Sequence, residues 1–295
     1  MDRKHSEEWQ SKVSRTVNST ACFSLAYVIL TYLLWFTTGL TGMLYKFDSL
    51  IYYYGIKFIL NSHGWSKTSA VVVYSTGPLF ILLLALVALL LFNRTKKIRT
   101  ILNLFFLWMF VIGISLFISQ IIMAAFGIYR YDSLYYQGLA VTFAWLRTPA
   151  KVVYWLNVPV VLLMVYVGVN CARPFLSFSY SFSKVNNLGR RRKYFFETAL
   201  VPYIVGSLVT TIALFPKELS AKGVLILLAS THLIYIVVMG MILGIGWLSL
   251  AYVEVSKPEL LRYKSLQVPN IIAIILTVVS WAFIYVTFRG VYLAH

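Results

Sequence analysis

The chain reads as an all-α protein, a polytopic transmembrane helical bundle of about seven spans. Three observations predict that class. Of its 295 residues, 60% are hydrophobic and only 12% are charged, whereas a soluble domain carries about 25% charged residues. The apolar residues gather into stretches close to the ~20 that a helix needs to cross roughly 30 Å of hydrocarbon. No alternating barrel pattern runs through them, and lipid leaves the backbone of an open strand unpaired, so helices carry the crossings.

The seven stretches are 21–44, 69–92, 101–127, 152–172, 198–215, 224–253 and 270–288. Residues 1–20 are polar and form a cytoplasmic N-terminal segment, so the first span is expected to act as an uncleaved signal anchor. Orientation follows from the basic residues. With the N-terminus inside, the segments holding Lys12, Arg15, Arg94, Arg173, Arg190 and Lys264 collect 17 of the 26 basic residues on the inner side. Positive loops favour the cytoplasm, which leaves the C-terminus outside and suits a plasma or inner membrane. The formal charge of +17 therefore reads as topology and contact with anionic lipid, and nucleic acid is excluded as a partner.

Two longer outer segments are rich in aromatic residues. Tyr45, Tyr52, Tyr53, Tyr54 and Trp65 lie in one; Tyr129, Tyr131, Tyr135, Tyr136 and Trp145 lie in the other. Amphipathic rings favour the headgroup level, and each segment is expected to be a short helix on the outer interface. The segments also match each other. Tyr45-Lys46-Phe47-Asp48-Ser49-Leu50 shares four of six positions with Tyr129-Arg130-Tyr131-Asp132-Ser133-Leu134. Residues 67–74 share five of eight with 147–154, and a proline follows in each, Pro78 and Pro159.

Those matches predict a tandem parallel repeat of two helix–interfacial segment–helix units, 21–92 and 101–172, followed by three C-terminal transmembrane helices within 198–295. Two crossings separate the copies, so their pseudo-symmetry axis lies along the membrane normal. Both prolines are expected to kink their helices.

Candidate sites are few. No Asp, Glu, Lys or Arg falls inside the seven stretches, although ion and proton pathways usually depend on such residues. His232 is the imidazole within a span, where hydrogen bonding inside the bundle is weighed against a proton or ligand role. Lys46 with Asp48 and Arg130 with Asp132 are the distinctive polar pairs. They read either as helix-capping loop residues or as equivalent docking points for protein partners. Asn157, beside Pro159, completes the candidate set, and Gly240 with Gly244 forms a G-x-x-x-G that permits close helix approach.

The four histidines lie at different depths, so no metal or other cofactor is implied. Cys22 and Cys171 read as buried packing thiols. Gly77-Pro78 and Asn157-Val158-Pro159 invite comparison with an intramembrane metalloprotease scaffold, but the H-E-x-x-H such enzymes need does not occur, and no family is assigned. The leading reading is an integral membrane protein acting as a non-catalytic subunit or scaffold of a membrane complex. The alternative is a passive or facilitative transporter or channel built on the parallel repeat. A lapsed intramembrane-protease-like scaffold or membrane enzyme comes third.

Overall fold

A computed structural model of the chain describes residues 3–52, 55–59, 64–95, 100–128, 137–179, 181–214, 222–253, 269–286 and 290–294. It is mostly helical. In order the elements are α1 (Arg3–Leu44), β1 (Asp48–Tyr52), β2 (Gly55–Ile59), α2 (Lys67–Thr95), α3 (Thr100–Gly127), α4 (Leu139–Trp145), α5 (Ala150–Trp155) and α6 (Asn157–Ser177). A 3-10 turn (Phe182–Lys184), α7 (Leu188–Phe195), a π-turn (Phe196–Leu200), α8 (Val201–Leu214), α9 (Lys222–Ser249), α10 (Ile271–Val286) and β3 (Val291–Leu293) follow.

Five helical stretches are long and apolar enough to cross a membrane: Ser11–Leu44, Lys67–Thr95, Ile101–Gly127, Ala150–Ser177 and His232–Ser249. They mark a membrane protein. The other two expected spans coincide with the shorter α8 and α10. The 28 residues of α9 form one unbroken helix of about 42 Å at 1.5 Å per residue.

The first span begins earlier than the sequence implied. The helix runs back through the polar residues, because Ser11, Ser14, Arg15, Asn18, Ser19 and Cys22 recur at helical spacing and share a buried face. Beyond them Phe23, Leu30 and Leu34 continue that face into the apolar core. Helix α1 packs against α2, α3, α8 and α10. At the centre the Trp108 ring meets Phe23 and Phe175 edge-on, each at 5.0 Å between centroids, and Phe175 meets Phe195 at 5.6 Å.

The first outer segment is not an interfacial helix. Strands β1 and β2 form an antiparallel hairpin, and β3 adds to the other edge of β1 in the order β2-β1-β3. The cause is a period-2 pattern: Ser49 and Ile51 point inward and are fully buried, while Leu50 and Tyr52 stand on the opposite face. Glycines on α1 make room for the sheet. A Cβ on Gly39 would lie 2.7 Å from Cδ1 of Ile51, and one on Gly42 would strike the Phe58 ring. Phe47, Phe58, Trp65 and Tyr74 then form an aromatic cluster, with Phe47 and Trp65 centroids 4.2 Å apart.

In the second outer segment Arg130 and Asp132 lie outside the described residues. The described part holds α4 rather than strands, so the two connectors differ in secondary structure. Pro78 lies inside an unbroken α2. At the second proline α5 and α6 join at Leu156, a single turn residue with helical φ −61° and ψ −20°, three residues before Pro159. Of the G-x-x-x-G pair, Gly240 admits a close approach, since a Cβ there would lie 2.7 Å from the Tyr203 hydroxyl of α8, whereas Gly244 has open space around it. The backbones of α6 and α9 also meet closely at Gly168 and Gly246.

Candidate functional site

Two polar constellations stand out, one at the amino-terminal end of α1 and one deeper in the bundle. The first grows from a proline. Pro202 has no N–H, so the Thr198 carbonyl, four residues earlier, loses its helical donor. The helix widens into a π-turn over Phe196–Leu200, with the Val201 N–H bonded to the Phe196 carbonyl. The carbonyls of Glu197 and Thr198 are then satisfied from α1: the Thr16 hydroxyl donates to Glu197 at 3.1 Å, and the Ser19 hydroxyl donates to Thr198 at 2.6 Å. Trp108 Nε1 in turn donates to Ser19 Oγ at 2.9 Å.

The same π-turn aims the Glu197 carboxylate at α1. Its Oε2 lies 3.5 Å from Arg15 Nη2 and its Oε1 lies 3.1 Å from Lys12 Nζ. Glu197 and Arg15 are both buried, with side chains 8% and 5% exposed, whereas Lys12 is 47% exposed. Arg15 also donates from Nε to the Ser11 carbonyl at 3.2 Å and sits 5.0 Å above the Tyr194 ring. Its Nη1 has no hydrogen-bond partner among the described residues. A cavity of about 520 Å³ opens beside this pair, with Lys12, Lys193, Phe196 and Glu197 in its wall. A second, of about 260 Å³, runs on between α1, α8 and α10 past Val17, Ala21, Val205, Ile274 and Val278. Thr16 and Val17 belong to both.

The second constellation contains His232. Its Nδ1 and the Tyr27 hydroxyl share a hydrogen bond of 2.8 Å, and its ring meets Tyr235 edge-on at 5.9 Å. Gln120 Nε2 donates to the Tyr235 hydroxyl at 2.7 Å. The cluster joins α1, α3 and α9 through side-chain hydrogen bonds and ring contacts. His232 Nε2 and Gln120 Oε1 are buried without a hydrogen-bond partner among the described residues.

The remaining sequence candidates are separated from these. Lys46 closes α1: it adopts φ 61°, and Phe47 N–H bonds Gly42 while Lys46 N–H bonds Met43, the paired bonds of a Schellman cap. Asp48 opens β1 and accepts a hydrogen bond of 2.9 Å from the Tyr292 hydroxyl on β3. That bond to a carboxylate holds the exposed Tyr292 phenol above its ordinary value. Asn157 donates from its amide to the carbonyls of Val153 and Tyr154, at 3.0 and 3.2 Å, across the α5–α6 junction. Both cysteines are free and buried, and no cluster of metal-ligating residues occurs among the described residues.

Sequence reasoning missed the ion pair because the first span was begun at 21 and the fifth at 198, one residue past Glu197. The available signal was the helical spacing of Ser11, Arg15, Asn18 and Cys22 ahead of an apolar run. No family model, curated protein or solved structure matches this chain.

Proposed function

We propose that the chain is a non-catalytic subunit or scaffold of a membrane complex, crossing the bilayer seven times from a cytoplasmic N-terminus. In that topology α7, the π-turn and α8 form the fifth crossing and α10 the seventh. The two matched sequence segments descend from one duplicated unit whose connectors have diverged. The observation that carries the scaffold reading is the filling of the helix junction around α1. Trp108, Phe23, Phe175 and Phe195 are each under 2% exposed there, and Thr16, Ser19 and Trp108 Nε1 are engaged in helix-to-helix hydrogen bonds. The sheet at the far end of α1 supplies an ordered surface for a partner protein.

A second reading, a facilitative transporter, is favoured by the orphaned Nε2 of His232 and Oε1 of Gln120, because unpartnered polar atoms at membrane depth suit a passing solute. The two separate experimentally. A photo-crosslinking side chain placed at the exposed Lys57 on β2 should give a discrete protein adduct in native membranes. Gly39→Leu, which displaces Ile51, should abolish that adduct, and His232→Ala should leave it intact. Solute flux in proteoliposomes that disappears with His232→Ala would establish the transporter instead.

A further inference from the structure

The two joined cavities have the shape and chemistry of an amphiphile. At one end Lys12, Lys193 and Glu197 share the wall, and Arg15 pairs with Glu197 behind it. The exposed pair, Lys12 and Lys193, stands at the mouth. At the other end the wall is apolar, made by Val17, Ala21, Val205, Ile274 and Val278. Along α1 the lining runs from Lys12 to Ser24, a rise of about 18 Å at 1.5 Å per residue. One leaflet's share of a ~30 Å hydrocarbon core is about 15 Å. The cavities, about 520 and 260 Å³, together fall within the ~300–1,000 Å³ typical of small-ligand sites. A partner helix about 10–12 Å across with its side chains would fill well over ~1,000 Å³ along that length, more than the two cavities hold.

We propose that this groove between α1, α8 and α10 binds an anionic glycerophospholipid of the leaflet at the amino-terminal end of α1. Its phosphate lies between Lys12 and Lys193, and one acyl chain lies along Val17, Ala21, Val205 and Val278. The π-turn is what makes the head site: it shifts the register over Phe196–Leu200, where the Glu197 carboxylate meets Arg15 and Lys12. Glu197 holds Arg15 buried beneath the mouth. Lys193 faces the phosphate. The site depends only on the chain lying in a bilayer, not on the scaffold reading above.

Native mass spectrometry of the full-length chain in detergent tests this with three probes: dioleoyl phosphatidylglycerol, dioleoyl phosphatidylcholine and glycerol 1-phosphate. The first phosphatidylglycerol adduct should form at least tenfold more tightly than the phosphatidylcholine adduct, and glycerol 1-phosphate should not bind over the same range. Each surface lysine contributes about 1 kcal/mol of attraction to an anionic lipid. Lys12→Gln with Lys193→Gln should therefore weaken the first adduct by about 25-fold, while Lys193→Arg should retain it. Val278→Trp fills the apolar arm from an exposed position and should remove the adduct with the charges unchanged. Equal binding of the two lipids, or an adduct indifferent to both variants, would overturn the proposal. So would tight binding of glycerol 1-phosphate alone, or a chain-to-chain dimer in place of the lipid.

Discussion

Lys46 and Arg147 are the two non-glycine residues with positive φ among those described, at 61° and 56°. Both close a helix in the same way: Arg147 N–H bonds Ala144 and Thr148 N–H bonds Phe143, repeating the pattern at Lys46. An L-residue in the left-handed region costs roughly 1–2 kcal/mol, part of which glycine returns as chain entropy when unfolded. Lys46→Gly and Arg147→Gly should therefore each raise unfolding stability in detergent by about 0.5–1 kcal/mol, and Lys46→Ala should not. Thermal or denaturant melts decide it. Glu197 behaves differently. Glu197→Ala strands a buried guanidinium, so it should cost about 3–5 kcal/mol, while Arg15→Met with Glu197→Leu should recover most of the loss. Lys12→Gln, on an exposed partner, should cost under about 1 kcal/mol. A similar loss at Lys12 and Glu197 would mean that the pair acts only through surface charge.

At the scale of elements, the helices were legible and the sheet was not. Long apolar runs announce themselves by length alone, whereas Asp48–Tyr52 is five residues in a tyrosine-rich segment that looked like an interfacial belt. The alternation of Ser49 and Ile51 against Leu50 and Tyr52 was present, but β3, which completes the sheet, lies far away in sequence. Glu197 was similarly hidden: its meaning depends on Pro202, which displaces the helical register, and on Thr16 and Ser19, which absorb the displaced carbonyls. Ser19→Ala leaves both the Thr198 carbonyl and the Trp108 N–H without a partner. It should cost about 2–6 kcal/mol, from roughly 1–3 kcal/mol for each of the two buried orphans. The sheet carries its own pH signature. The Tyr292 phenol is raised above 10.0 by its bond to Asp48. Its contribution is therefore complete below the unfolded tyrosine value and is lost as pH rises through the folded one. Hydrogen exchange at β3 should accelerate in that alkaline window, and Tyr292→Phe should remove the pH dependence.

For the whole molecule, orientation is the outstanding expectation from the basic residues. On a Cys22/Cys171-free background, Arg190→Cys should be shielded from an impermeant thiol reagent in intact cells and Lys57→Cys should react. Labelling at Arg190→Cys from outside would reverse the topology, and with it the leaflet that fills the groove. Composition was enough to read the bilayer as solvent, because burial in lipid is a property of totals. Which face of α1 is buried was only partly legible, because α8 and α10 cover part of it alongside α2 and α3, and neither α8 nor α10 is a sequence neighbour of α1.

The pairing of β1 with β3 has a consequence in time. Asp48 and Tyr292 are separated by 244 positions, and the Asn18 and Ala21 contacts with α10 span 252 and 256. A ribosome adding about 5–20 residues per second needs on the order of 12–50 s to bridge that gap. Throughout it α1 sits in the membrane with Asn18 uncovered, and the outer edge of β1 remains open to any strand that reaches it. Helix α10 and strand β3, made long after α1 and β1, close both faults. That edge of β1 therefore stays bare on the nascent chain until β3 has been made.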